Sequence, residues 1–127
     1  MSRALRGCEL AMCASIAIVA ARAYADPSQG ILSPAAIRHV VMTNLRQVTR
    51  CHEAALSRHP NLAGRVTIHF TIGGNGAVLS STPTENTTGD RDVGDCIATA
   101  VGHWRFPAPE GGGVVTVNYP FNLQRAE

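Results

Sequence analysis

Residues 101–123 read VGHWRFPAPEGGGVVTVNYPFNL, and the fold turns on how this stretch is divided. Val101 and Trp104 complete an apolar stripe that begins at Val93 and passes through Cys96, Ile97 and Ala100. Residues recurring at three- and four-residue steps predict a helix that starts near Asp90 and ends in Trp104-Arg105-Phe106-Pro107. A Pro- and Gly-rich hinge follows, with Gly111-Gly112-Gly113 at its end,. From Val114 to Leu123 the period changes to two, with Val115, Val117, Tyr119, Phe121 and Leu123 on one face. That alternation predicts a strand. Pro120 lies inside it and has no N–H to donate to a ladder, so the strand belongs at a sheet edge.

Working outward, Ser33-Pro34 is a helix start, with Ser as N-cap and Pro at the first helical position,. Ile37, Val40, Val41, Leu45, Val48, Cys51, Ala55 and Leu56 then recur at helical spacing, which predicts one amphipathic helix of about 25 residues. His59-Pro60 ends it. Val66, Ile68, Phe70 and Ile72 alternate with Arg65, Thr67, His69 and Thr71 in a strand opened by Gly64. Gly73-Gly74-Asn75-Gly76 supplies a hairpin turn, because several of its positions take positive φ without strain. Ala77 to Thr82 reads as the return strand, and Pro83 to Asp90 as a polar, mobile loop,.

The expected order is α-β-β-α-β, an α+β fold. Its economical packing places two helices on one face of a three-stranded antiparallel sheet. Phe70, Trp104, Phe106 and Phe121 are the expected aromatic core. Both stripes carry a cysteine, Cys51 and Cys96, and a bridge between them requires the helices to pack side by side.

The N-terminus changes every count. Arg3 and Arg6 precede an apolar run from Ala11 to Ala21, and Ala23-Tyr24-Ala25 places small residues at both recognition positions of a signal peptide cleaved before Asp26,. The run falls well short of the roughly 20 apolar residues of a membrane span. The expected divisions are therefore a signal peptide over 1–25, a short lead-in over 26–33 and one domain over 34–124. The alternative is an uncleaved signal that serves as an anchor. Cleavage removes three of the eleven Arg and one of the nine acids, leaving eight of each, with no Lys in the chain. Such a balance gives no footprint for nucleic acid and no polybasic patch for a membrane surface.

Cys8 and Cys13 leave with the signal, so the exported chain keeps only Cys51 and Cys96. In an oxidising compartment their default state is one disulfide. Free thiols or a redox pair are the alternatives, although the Cys-x-x-Cys spacing usual for redox work is absent.

The blocks Cys51-His52-Glu53-Ala54-Ala55-Leu56, His59-Pro60-Asn61-Leu62-Ala63-Gly64-Arg65-Val66, Cys96-Ile97, Trp104-Arg105-Phe106-Pro107-Ala108-Pro109 and Tyr119-Pro120-Phe121 together resemble the AgmX/PglI C-terminal domain family, within the broader TonB C-terminal-like group. The resemblance spans about Ile37 to Leu123. It implies a TonB-like α+β fold, a Cys51–Cys96 bridge and a place in a Gram-negative envelope. His52 departs from the pattern, where such domains carry an aromatic Tyr. TonB-like domains accept an extended peptide beside an edge strand, and the corresponding residues here are Val115, Thr116, Val117, Asn118 and Tyr119. Force transmission also needs an anchor and a long linker. The eight residues Asp26 to Ser33 reach roughly 28 Å when extended, too little to cross a periplasm.

The expectation is therefore a non-enzymatic periplasmic or secreted binding or adaptor domain that contacts an envelope protein or peptide through its edge strand. The alternatives are a component of a TonB-like energy-transduction or gliding-motility complex, and a homodimeric structural protein. No cofactor, metal, nucleic acid or stable membrane insertion after cleavage is expected. The five histidines (His39, His52, His59, His69 and His103) include no pair at the i, i+4 spacing of a zinc helix,. There is no Gly-x-Ser-x-Gly elbow. Gly73–Gly76 joins two strands rather than a strand and a helix, so it is a hairpin and not a phosphate loop.

Overall fold

Ser33 starts the first helix: its Oγ accepts the Ala36 N–H at 3.1 Å, ahead of Pro34 at the first helical position,. A computed structural model describes residues 29–124. The export segment 1–25 and its cleavage point lie outside the described residues. Helix α1 spans Pro34–Thr43 and α2 spans Leu45–Leu56. The single helix of about 25 residues expected from the stripe is thus two helices. They meet at Asn44, where the backbone leaves helical geometry at φ −105° and ψ 11°. The Asn44 side-chain amide donates to the Val40 carbonyl at 2.8 Å, and Thr43 Oγ1 donates to the His39 carbonyl at 2.8 Å. Two successive polar side chains crowd the carbonyls of the last turn, offering the backbone an alternative to continuing the helix.

Strand β1 is Gly64–Ile72, β2 is Val78–Asn86 and β3 is Val115–Leu123. They form one antiparallel sheet in the order β2-β1-β3. The central strand buries Val66, Ile68, Phe70 and Ile72 completely beneath the helices. Thr67 pairs with Glu85 and Ile68 with Pro83, leaving Thr84 as an extra residue in a bulge,. Residues 83–86, expected as a mobile loop, therefore continue the return strand. Pro83 is tolerated because β2 is an edge and a bulge relieves the ladder.

Helix α3, Arg91–Gly102, lies over β1 and β2 and beside α2. The Cys51–Cys96 disulfide joins the two helices. Cys51 is 5% exposed, whereas Cys96 lies at the exposed border of its stripe. The order α-β-β-α-β, with the first helix broken in two, covers one sheet face and, among the described residues, leaves the other open.

Two backbone junctions lock the end of the molecule that holds the hairpin and the hinge. Phe106 N–H donates to the Gly76 carbonyl at 2.9 Å. Gly76 has φ +89°, and a Cβ there would overlap the Phe106 carbonyl,. The lead-in is also bound rather than free. Gly30 N–H donates to Val114 O at 2.7 Å, while Ile31 and Glu110 exchange two bonds at 3.0 and 2.8 Å. A Cβ at Gly30 would lie 2.6 Å from the Gly113 carbonyl. The tether expected over residues 26–33 is therefore fixed to the hinge from Gln29 onward.

The aromatic residues close the core. Phe70 stacks on Phe106 with centroids 5.6 Å apart, and Trp104 meets Phe121 edge-on at 6.3 Å. Trp104 is 3% exposed, and its Nε1–H donates to Gln47 Oε1 at 2.8 Å.

Candidate functional site

Among the described residues strand β3 pairs with β1 alone, and its outer side is a free edge. Arg65 O accepts the Thr87 N–H on the β2 side. Main-chain groups alternate in direction along a strand, so Val66, Ile68, Phe70 and Ile72 turn theirs toward β3. Their partners are Phe121, Tyr119, Val117 and Val115. It follows that Thr116, Asn118, Pro120 and Asn122 point their main-chain groups outward. Val114 lies in the same series, and its carbonyl is the one taken by Gly30. The lead-in caps the start of the edge, and among the described residues the remainder from Thr116 is open. The N–H missing at Pro120 falls on this outer side, so the proline breaks no bond to β1.

The structure divides the five edge residues between two faces. Val115, Val117 and Tyr119 are half-buried on the helix side, and Thr116 and Asn118 are exposed on the open face. Asn118 Oδ1 lies 2.9 Å from His69 Nδ1, which holds the amide over the sheet. From Val114 to Gln124 there is no charged residue. Edge strands are commonly blunted by charges, short length or covering segments. Among the described residues this one carries only Pro120 and the short lead-in cap.

A groove of about 430 Å³ lies between the α1–α2 elbow and the second half of β3. Val41, Met42, Leu45 and Val48 form one wall, and every residue from Tyr119 to Gln124 contributes to the other. Alternate residues of a strand face opposite sides. Six consecutive residues share the groove because it runs along the outer edge of the strand. Periodicity did not expose this feature: Leu45 counts as a core residue in the stripe, yet the break at Asn44 leaves it 38% exposed and Met42 58% exposed.

The opposite corner is structural. Asp90 caps α3, accepting the Asp92 and Val93 N–H groups at 2.8 and 3.4 Å, and pairs with Arg58 at 2.8 Å. Desolvation by itself would raise its carboxyl pKa. The Arg58 hydrogen bond and charge, with the two backbone N–H bonds, outweigh that and hold it below the ordinary aspartate range,. A depressed folded pKa contributes stability that is present above the unfolded value of about 4 and is lost as pH falls through the folded value. Thermal melts taken at falling pH should therefore show wild type losing stability below about pH 4 more steeply than Asp90→Asn. Glu85, held low first by its Arg65 hydrogen bond and then by Thr67, contributes the same sign to both proteins. Parallel pH curves would show that Asp90 is not the coupled group.

The histidines do not converge. His52 Nε2 lies 3.3 Å from Leu62 O, His103 Nδ1 lies 2.9 Å from Thr99 O, and His59 Nε2 lies 3.8 Å from Asp90 Oδ2 at the surface. Among the described residues no group of three His, Cys, Asp or Glu could hold a metal ion. No described helix is long and apolar enough to cross a membrane.

No family model matches this chain, and no curated protein matches it. Among solved structures it is similar to the NMR solution structure of the Helicobacter pylori TonB C-terminal domain. The identity is 17%, the match covers 67% of this chain and 83% of that one, and the TM-score is 0.41.

Proposed function

We propose that this chain is a non-enzymatic envelope adaptor, exported by residues 1–25, whose domain takes an extended segment of a protein partner along the outer edge of β3. The observation that carries this reading is the edge itself: a nine-residue strand, uncharged throughout, with the outward main-chain groups of Thr116 and Asn118 unpaired among the described residues. Added-strand recognition draws affinity from such main-chain groups and specificity from alternate side chains. The Cys51–Cys96 disulfide supports an oxidising compartment,. On this reading the domain is a relative of the AgmX/PglI C-terminal domains.

The same uncharged edge favours one second reading, a homodimer in which two copies pair β3 to β3. Photoreactive residues at Thr116 and Asn118, irradiated in intact cells, separate the two. Enrichment of one other envelope protein at both positions is expected. Capture of the chain by itself alone gives the edge to the dimer, and capture of nothing removes the edge as a binding surface.

A further inference from the structure

The groove beside β3 says more about the partner than the edge does. Its lining contains no carboxylate, and two of the four large apolar side chains exposed among the described residues, Met42 and Leu45, stand at its helical wall. The other wall continues directly into the free edge. Pro120, which cannot donate outward, sits where the edge passes from Thr116 and Asn118 into the groove. A segment paired with the first half of the edge loses a ladder donor there and lies beside an apolar slot instead.

The two helices that wall this slot are one-sided in charge, although no arginine is itself in the lining. Helices α1 and α2 carry Arg38, Arg46 and Arg50 against the single acid Glu53. Arg38 stands one helical turn before Met42, and Arg46 directly follows Leu45. All three arginines are exposed, and none has an ion-pair partner among the described residues. The surface arginines that are paired, Arg58 and Arg65, lie elsewhere, on Asp90 and Glu85.

From this geometry we infer that the groove takes an acidic extended polypeptide, anchored by one bulky apolar side chain between the Met42–Leu45 wall and the Tyr119–Phe121 wall. The inference rests on the edge-docking reading and adds the chemistry of the partner. Main-chain pairing at Thr116 and Asn118 sets the register. The apolar side chain enters past Pro120, and carboxylates on the same segment face Arg38 and Arg46. Buried apolar or aromatic anchors carry most of the energy of such sites, and complementary charge adds specificity and speeds association.

The test uses protein purified from cells expressing the full chain. The probes are a fluorescein-labelled dodecapeptide, with a Val-Thr repeat, one leucine and glutamates at both ends, and a twin in which every glutamate is lysine. Vesicles of phosphatidylglycerol in phosphatidylcholine form the third arm. The acidic peptide is expected to bind at least about tenfold more tightly than its twin, and Leu45→Glu to weaken it about tenfold. The pair Arg38→Glu and Arg46→Glu is expected to abolish the preference for acid. Both changes fall on exposed side chains, so far-UV spectra and melting points should stay at wild-type values.

Failure of the inference and failure of the underlying reading give different results. Thr116→Pro removes an outward N–H without touching the β1 ladder. If it abolishes binding while Leu45→Glu and charge reversal do nothing, the edge stands and the acidic, anchored partner falls. If Thr116→Pro has no effect while Leu45→Glu does, edge docking falls and the inference with it. No binding of the acidic peptide to wild type overturns the inference. So does vesicle binding that the peptide fails to compete away, which would assign the arginines to anionic lipid. A dimer dissociated by Leu45→Glu would give the groove to a second copy.

Discussion

Trp104→Ala is expected to lower the free energy of unfolding by about 3–5 kcal/mol, the range for removing a large aromatic from a packed core. The side chain sits directly after α3, where the helical stripe ends, and it is 3% exposed. Three separate contacts are lost together: the edge-on approach to Phe121, the bond from Nε1–H to Gln47, and the cover it gives the core. The Gln47 bond is the smallest of these, because Gln47 is exposed and returns to water when its partner is removed,. Trp104→Phe, which keeps most of the apolar volume, should therefore cost much less than alanine. Urea titrations of the three proteins decide it, followed by circular dichroism because the chain has one tryptophan. An unchanged midpoint for Trp104→Ala would show that the ring contributes nothing to the core and belongs to the surface.

The features read correctly from the sequence share one property: many residues vote for each. Five apolar residues at period two define β3, and the stripe beginning at Val93 defines α3 and its start near Asp90, although the helix ends at Gly102 rather than in Trp104–Pro107. The free edge followed from Pro120, since a proline restricts where a strand can stand. What was missed depends on single residues. Asn44 breaks the first helix through its own side-chain hydrogen bond. The apolar stripe continues across the break, so periodicity does not register it. Thr84 bulges out of β2, and one extra residue makes a strand look like a polar loop.

The lead-in shows a further limit. Gly30 gives no periodic signal, yet its missing Cβ permits the approach to Gly113 that fixes residues 29–31 against the hinge. The candidate site inherits these misses. The five edge residues were legible as a strand at an edge, whereas the groove exists because the chain turns at Asn44 and brings Met42 and Leu45 beside residues that are some 75 positions later in sequence,.

Removing the Cys51–Cys96 bridge by Cys51→Ala and Cys96→Ala together is expected to cost about 4 kcal/mol, from the entropy returned to an unfolded chain no longer closed into a loop. The two cysteines are separated by 45 positions, which sets that figure through the logarithm of loop length. Domains of this size are stable by roughly 5–15 kcal/mol in all, so the loss is a large share. Locally, the bridge and the Arg58–Asp90 pair both tie the α2 end of the molecule to α3. Arg58 is half exposed while Asp90 is buried, so water screens only one side of the pair, and a non-covalent contact of this kind does not replace the bridge. Guanidinium titrations should show a lower midpoint for the double variant together with a steeper slope, because the uncrosslinked unfolded chain exposes more surface. Reductant should move wild type to the position of the variant and leave the variant unmoved. An equal midpoint for all these conditions would mean that packing of α2 on α3, and not the covalent link, holds the helices together.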